Sequence, residues 1–481
     1  MKALIIGCGI AGPVTAMALR EVGIDAEIFE AYGQGAEDVG SFLNVASNGL
    51  AALRVLGAHH KVLSQAIPTP RMVMWSGSGK RLGEVANGLR LDDGTVSHTV
   101  LRSDLYRSMR DEATRRGIEV TYGKRLVSYD ESGRQVTARF ADGTEATGDL
   151  LIACDGVHSR TRTLLDPRAP AARYSGLYSF GGIVKDAGFP GEPGVYNMVF
   201  GKRAFFGYTE RRAWGGERQP ASPAEPRASA TIGTQRRAWG GERQPASPAE
   251  PRASATIGTQ RRAWGGERQP ASPAEPRASA TIGTERRAWG GERQPASPAE
   301  PRASATMGAV PESGETWWFA NLPRRLGDVP EDWKPVLVRA FEDDANFSAE
   351  LIRRSDVEPG SPVYDLPPVP VWHRGRVLLV GDAAHATSPS SGQGASLAME
   401  DAVVLARCLR DSGSHTEAFE RFEAERRPRA ERVVAYSRTI SNSKAAGPVA
   451  RVFRDLMLPF FLKKSASQES LAWMYRYQAS L

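Results

Sequence analysis

The chain is short of cysteine. Cys8, Cys154 and Cys408 are the only three in 481 residues; they stand far apart, and none belongs to a Cys-x-x-Cys pair. A disulfide framework and a thiolate zinc site are therefore not expected, and a reducing cytoplasm fits. Long apolar runs are also missing: nothing approaches the ~20 residues that span a bilayer. The opening Met-Lys-Ala-Leu-Ile-Ile-Gly is too short an apolar run for a signal peptide. No His/Asp/Glu cluster has metal-ligand spacing, and there is no Gly-x-Ser-x-Gly elbow. Most of the chain also lacks an excess of either charge. The formal net charge is +7, but residues 211–310 hold 16 Arg, 9 Glu and neither Lys nor Asp, so the remainder is balanced. The folded body carries no electrostatic footprint for nucleic acid or a membrane.

What is abundant is a repeat. Arg-Arg-Ala-Trp-Gly-Gly-Glu-Arg-Gln-Pro-Ala-Ser-Pro-Ala-Glu-Pro-Arg-Ala-Ser-Ala-Thr starts at Arg211, Arg236, Arg261 and Arg286, a period of 25 residues. A stacked solenoid needs an apolar face on every repeat. Here Leu, Ile, Val and Phe number four in a hundred residues (Ile232, Ile257, Ile282 and Val310), against three prolines and three glycines per copy. Such a composition buries too little apolar surface to offset the entropy of ordering it, so 211–310 is expected to be a disordered insert. Nine glutamates among the arginines dilute any affinity for phosphates, which argues against a nucleic-acid tether. Strand-like runs flank the insert at Val195 to Phe200, Ala204 to Thr209 and Glu315 to Asn321. The insert is expected to loop out between neighbouring strands, because closure entropy grows only with the logarithm of length.

The start of the chain alternates strand and helix. Lys2 to Ile6 reads as a buried strand, Pro13 to Val22 as a helix and Ala26 to Phe29 as a second strand, together a βαβ unit. Gly7-Cys8-Gly9-Ile10-Ala11-Gly12 lies between the first strand and the helix. Gly7 permits the tight turn, Gly9 leaves room for a pyrophosphate, and Gly12 lets helix and strand pack closely; Ala11 is counted with them in the cofactor loop, and the helix N-terminus that follows offers free N–H groups to the phosphates. Glu30 ends the second strand, where a carboxylate accepts from ribose hydroxyls and disfavours a 2′-phosphate. The spacing leaves FAD and NAD open. Further on, Arg376 to Val380 is a strand leading through glycines into a helix from about Ala395 to Leu409. A charged helix comes next, over about Thr416 to Ser437. Past Gly447-Pro448, the residues Val449, Val452, Phe453, Leu456 and Met457 have helical spacing and are expected to pack back on the body.

Two further stretches carry a resemblance. Leu151-Ile152-Ala153-Cys154-Asp155-Gly156-Val157-His158-Ser159-Arg160-Thr161-Arg162 resembles the Asp-Gly motif of the class A flavoprotein monooxygenases, the p-hydroxybenzoate hydroxylase-like family. Gly381-Asp382-Ala383-Ala384-His385, continued by Ser388-Pro389-Ser390-Ser391-Gly392-Gln393-Gly394-Ala395, resembles its Gly-Asp motif, and Phe422-Glu423 with Arg426-Arg427-Pro428-Arg429 resembles the helix after it. The resemblance implies an α/β fold: a discontinuous Rossmann-like FAD-binding domain (1–70, 98–170 and 365–440), an interposed mixed-sheet substrate domain (71–97, 171–210 and 311–364) and C-terminal helices (441–481). It implies FAD as cofactor, with NADPH or NADH as a transient reductant that needs no Rossmann domain of its own. It also implies hydroxylation of a small aromatic or polyketide-like substrate, with O₂ supplying the oxygen through a flavin hydroperoxide.

By the same resemblance, Asp382 is the ribityl carboxylate, and Pro389, Gly392 and Gly394 form the turn at the flavin ring. Arg102 is the arginine near the flavin, and Asp155 touches FAD. Asp155 has a plainer reading as the cap of the turn before Ser159, and Arg102 as a solvated helix-start arginine. No protein acid or base is expected to be catalytic, because the cofactor carries the chemistry. His158 and His385 are read as packed or capping. Phe206, Trp317, Trp318 and Phe319 lie on strands of the substrate domain; alternation puts Trp318 on the face opposite its neighbours, and Phe206 and Trp318 are taken as the pocket candidates. Other readings on the same fold are a halogenase or reductase, or a flavin binder that the insert has inactivated. A halogenase would carry Trp-x-Trp-x-Ile-Pro, and this chain does not.

Overall fold

The computed structural model describes residues 1–33, 41–188, 192–211, 314–357, 359–444, 453–459 and 471–481. The expected disorder of 211–310 and the helix start at Gly447-Pro448 lie outside the described residues, Arg211 excepted. All described residues belong to one compact unit, Met1–Gly215 with Val310–Leu481.

Its base is a six-stranded sheet. Lys2–Ile6 lies between Leu150–Ala153 and Asp25–Phe29, and both pair with it in parallel. Val377–Leu379 and Glu119–Thr121 extend the parallel sheet on either side, and His373–Arg374 closes one edge antiparallel. The strands are short and apolar because both faces are covered. The register levels Ile6 with Phe29 and Ala153, and Ala153 with Leu379. The segments leaving these strands therefore emerge along one edge, at Gly7, Glu30, Asp155 and Gly381. In open parallel sheets this carboxyl edge is where ligands bind. The helices Ala11–Glu21 and Gly394–Asp411 pack on the sheet, and both start at that edge.

The second sheet has seven strands in the order Ser361–Asp365, Arg173–Lys185, Glu315–Pro323, Phe205–Arg211, Val195–Phe200, Arg71–Ser76, Arg81–Ala86. It is antiparallel except where Val195–Phe200 runs parallel to Arg71–Ser76. The α/β class, with a parallel sheet, a mixed sheet and helices at the C-terminal end, is as expected from the sequence. The strands flanking the repeat are direct neighbours, and Arg211 stands opposite Glu315. The insert thus connects, in sequence, two strands that pair directly. Replacing 212–313 with a short glycine-containing turn should leave cofactor affinity within about twofold and raise the melting temperature, since the closed loop shortens. Loss of cofactor on that replacement contradicts the reading.

The two faces of the second sheet differ. Phe206, Trp318, Phe180 and Tyr208 pack under the helices Trp333–Phe341 and Ser348–Arg354. Tyr196, Trp317 and Phe319 meet Phe42 and Leu101 of a small three-stranded sheet on the other side. A helix over 453–459 also departs from expectation. Leu458 packs with Leu82 and Phe200, and the Arg454 guanidinium sits 4.6 Å from the Phe200 ring centre. Phe453 and Leu456, expected to face inward, are 63% and 70% exposed. The inner face is rotated, because one apolar side chain and an arginine stem suffice to cover the sheet end. Among the described residues no helix is long and apolar enough to cross a membrane.

Candidate cofactor site

The three glycines of the first loop have different duties. Gly7 has φ +104°, and a Cβ there would lie 2.5 Å from the Cys154 carbonyl oxygen. A Cβ on Gly12 would lie 2.0 Å from the Gly7 oxygen. Both are fixed by protein packing. A Cβ on Gly9 would meet only the Tyr106 ring, at 4.0 Å. Its bareness serves no internal contact and leaves room for a ligand. The next helix has Ile10 at its N-cap and no side-chain cap, so its first N–H groups remain available. Glu30 accepts from the backbone N–H of Cys8 at 2.7 Å and of Tyr32 at 3.0 Å, which anchors the loop to the end of the second strand. Burial, with the Glu30 charge added, pushes the Cys8 thiol up to about 12, so it stays protonated.

The Gly-Asp turn meets this loop. A Cβ on Gly381, at φ +61°, would lie 3.3 Å from the Cβ of Ala11. Asp382 comes next, and its Oδ1 is 4.0 Å from where a Cβ of Gly394 would stand. Arg102 begins the helix Arg102–Arg115 and donates twice to the Tyr106 hydroxyl, at 2.8 and 2.6 Å. Asp382 and Arg102 are both reached by solvent. Surrounding protein nonetheless desolvates Asp382 and raises its carboxyl above the ordinary range, against the pull of His385 and Arg102. Open to water yet walled by protein is the condition of groups lining a deep cleft. Pro389–Ser391 form a short 3₁₀ turn; Gly392 is left-handed at φ 62°, and the eighteen-residue helix Gly394–Asp411 then starts without a side-chain cap. Two uncapped helix N-termini thus open near one carboxylate and one guanidinium.

A buried charge network, missed in the sequence, holds this turn. Asp401 accepts from the Gly381 N–H at 3.0 Å, from His385 Nε2 at 2.6 Å and from Arg426 Nε at 2.6 Å. Arg426 also reaches Glu400 at 2.7 Å, and Arg429 chelates Glu400 at 2.8 and 2.7 Å. Asn48 donates to Glu400 at 2.6 Å and to Gln393 at 2.9 Å. Glu400, Asp401 and Arg426 are wholly buried. A signal was present: two adjacent acids interrupt the apolar run of the helix Gly394–Asp411, and buried acids demand partners. His385 is a structural member of this network, and His158 packs edge-on to Tyr364 at 4.7 Å.

Gly7, Gly9, Ala11, Gly12, Glu30, Arg102, Asp155, Asp382, Pro389, Gly392 and Gly394 all lie along the carboxyl edge of the parallel sheet or on the segments that meet it. Asp155 does cap: its Oδ2 accepts from the Thr161 N–H and hydroxyl, each at 2.9 Å, while its Oδ1 is buried without a partner. Ser159 caps the same short helix by accepting from the Arg162 N–H. Phe206 and Trp318 are not brought to the cleft. Their rings stack at 5.4 Å, both are 0% exposed, and both belong to the core beneath Trp333–Phe341. This corrects the pocket expectation for these two residues: the strand alternation was right, and the opposite face of the sheet carries Trp317, Phe319 and Tyr196, which pack on Phe42. There the Arg211 guanidinium lies 5.5 Å from the Trp317 ring centre, and Trp317 Nε1 donates to Glu315 at 3.1 Å.

The FAD binding domain family matches residues 1–203 and 369–437. The FAD-dependent urate hydroxylase of Klebsiella pneumoniae subsp. pneumoniae is 26% identical over 446 residues, covering 91% of this chain and 89% of that protein. The 6-hydroxynicotinate 3-monooxygenase of Pseudomonas fluorescens is 23% identical over 442 residues, covering 89% and 88%. Among solved structures, Klebsiella pneumoniae HpxO complexed with FAD and uric acid superposes with a TM-score of 0.69 at 23% identity, covering 98% of this chain and 97% of that one. A salicylate hydroxylase substrate complex superposes at 0.63 and 18% identity, covering 100% and 96%. With the family match spanning more than half of its length on both sides of the insert, the chain belongs to the FAD binding domain family.

Proposed function

We propose that the protein is an FAD-dependent monooxygenase that hydroxylates a small aromatic or heteroaromatic substrate, using NADPH or NADH and O₂. The observation that carries this reading is the meeting, in one cleft, of two uncapped helix N-termini, Asp382 and Arg102, next to an aromatic sheet face. The relatives that act on urate and 6-hydroxynicotinate support the substrate class. The chain's donors suit FAD: Gly9 leaves space, the partnerless Asp155 Oδ1 is a spare acceptor, and the acidic Glu30 suits an unphosphorylated ribose. When bound, FAD supplies the redox chemistry.

In this reading Gly7, Gly9, Ala11 and Gly12 cradle the pyrophosphate, Glu30 takes the adenosine ribose and Asp382 the ribityl hydroxyls. Pro389, Gly392 and Gly394 would shape the turn beside the ring, and the uncapped helix N-terminus there would favour negative charge nearby. Arg102 adds a fixed positive charge nearby. The aromatic face holds the substrate ring and excludes water. We assign 1–70, 98–170 and 365–440 to the cofactor and 71–97, 171–210 and 311–364 to the substrate. Three free thiols suit the cytoplasm.

The test is purified protein examined for bound flavin by absorbance. NAD(P)H, O₂ and peroxide are then followed against phenols, hydroxypyridines and purines. Flavin without substrate-stimulated reduction overturns the hydroxylase; no flavin overturns the cofactor assignment. The sheet faces are separable too. Trp318→Ala should cost about 3–5 kcal/mol of stability and leave the KM of the folded fraction unchanged, whereas Phe319→Ala should change KM. Denaturant unfolding and steady-state kinetics on both variants distinguish them.

A further inference from the structure

We infer that the C-terminal segment 471–481 is a strap that sets the flavin-ring turn, with Tyr475 as its positioning residue. The inference rests on the proposed placement of Gly392–Gly394 at the ring.

The segment is held as part of the body. Arg429, while chelating Glu400, also donates to the backbone carbonyls of Trp473 at 3.0 Å and Met474 at 2.7 Å. The Trp473 ring lies 3.9 Å from the Arg432 guanidinium and edge-on to Tyr436. Tyr477 donates to Glu425 at 2.5 Å and lies beneath Arg426 and Arg429, at 5.1 and 4.4 Å. Arg407 donates to the Ser480 carbonyl at 3.2 Å. These ties hold a short segment that has little regular structure of its own.

Its inner residues point at the site. Met474 and Tyr475 are buried with Ala46, Leu89 and Leu397. Leu397 lies in the first turn of the helix that starts at Gly394. The Tyr475 ring lies 3.2 Å from where a Cβ of Gly88 would stand, which ties in the loop after Arg81–Ala86 of the second sheet. Leu397 is thus backed by the strap from behind the turn. Gln393 stands between the two glycines of the turn and is itself fully buried, bonded to Asn48 at 2.9 Å. One tyrosine therefore packs behind the helix that follows the flavin-ring turn and against a loop of the substrate sheet. The Glu400 carboxylate links Arg429, which grips the strap, with Asn48, which grips the turn.

The experiment compares the full chain, Tyr475→Ala and a chain ending at 470. Apoprotein is titrated with FAD, and the visible flavin spectrum, the midpoint potential and the apoprotein melting temperature are recorded. Tyr475→Ala leaves the space behind the first turn of the helix unfilled and should weaken FAD about fivefold or more. It should shift the visible bands while the apoprotein still melts cooperatively; the truncated chain should lose FAD by more. A Tyr475→Ala protein with a lower melting temperature but wild-type FAD affinity, spectrum and potential makes the strap merely structural and overturns the inference. A wild-type chain that takes up no FAD overturns the cofactor assignment and this inference with it. Normal binding by both wild type and Tyr475→Ala removes the strap alone.

Discussion

Replacing Arg426 with methionine is expected to lower the unfolding free energy by about 3–5 kcal/mol and to abolish flavin retention. The arginine is wholly buried between two wholly buried carboxylates, Glu400 and Asp401. Methionine fills much of the volume, so the loss is electrostatic. One carboxylate keeps Arg429 and Asn48, but Asp401 keeps only His385 and the Gly381 N–H. Burial pushes the Asp401 carboxyl up, yet His385 and Arg426 together hold it well below the ordinary range. A depressed folded pKa contributes stability that is complete above the unfolded value of about 3.9 and is lost as pH falls further. The variant should therefore lose most at neutral pH and differ least from wild type in acid. Arg426→Lys should recover only part, because one ammonium does not bridge two carboxylates as a guanidinium fork does. Urea unfolding at pH 7 and at about pH 2.5, well below the unfolded carboxylate value, reads both effects. A wild-type midpoint for Arg426→Met at pH 7 contradicts the account.

Gly9→Val and Gly12→Val should fail in opposite ways. At Gly9 the built Cβ touches nothing closer than 4.0 Å, so the apoprotein should fold with near-normal stability. The valine branches then occupy the space in front of an uncapped helix N-terminus, and FAD affinity should fall by about a hundredfold or more. At Gly12 the Cβ would lie 2.0 Å from a backbone oxygen, and the strand–helix junction gives way before any ligand is involved. Little soluble protein is expected. Circular dichroism and FAD titration on both variants provide the comparison. Gly9→Val with wild-type affinity would remove the pyrophosphate from this loop.

Much of this was legible in sequence, for a physical reason. A phosphate loop is local: Gly7 to Gly12, the helix start and Glu30 lie within one βαβ unit, where strand period and glycine spacing suffice. The Gly381–Gly394 stretch is equally contiguous. The illegible parts depend on contacts remote in sequence. Glu400 and Asp401 look like ordinary helix acids until Arg426 and Arg429 meet them across a helix pair. Alternation separates Trp318 from Trp317 and Phe319, but a period of two does not say which face lies under the helices. That depends on where the helix Trp333–Phe341 packs. Phe453 and Leu456 have helical spacing, yet spacing alone does not set the rotation of a short helix against a sheet end.

The hairpin between Phe205–Arg211 and Glu315–Pro323 also bears on synthesis. Glu315–Pro323 is the inner strand that joins Arg173–Lys185 to Phe205–Arg211. Residues 212–314 separate it in sequence from the partner it directly faces. At roughly 5–20 residues per second on the ribosome, those residues delay it by about 5–20 seconds. For that time the nascent sheet is in two parts, and both carry an open edge lined with aromatic side chains. Such edges pair with other chains when they cannot pair with their own. The chain's yield in the cell is thus set by how well that interval is protected, independently of how well the finished protein works.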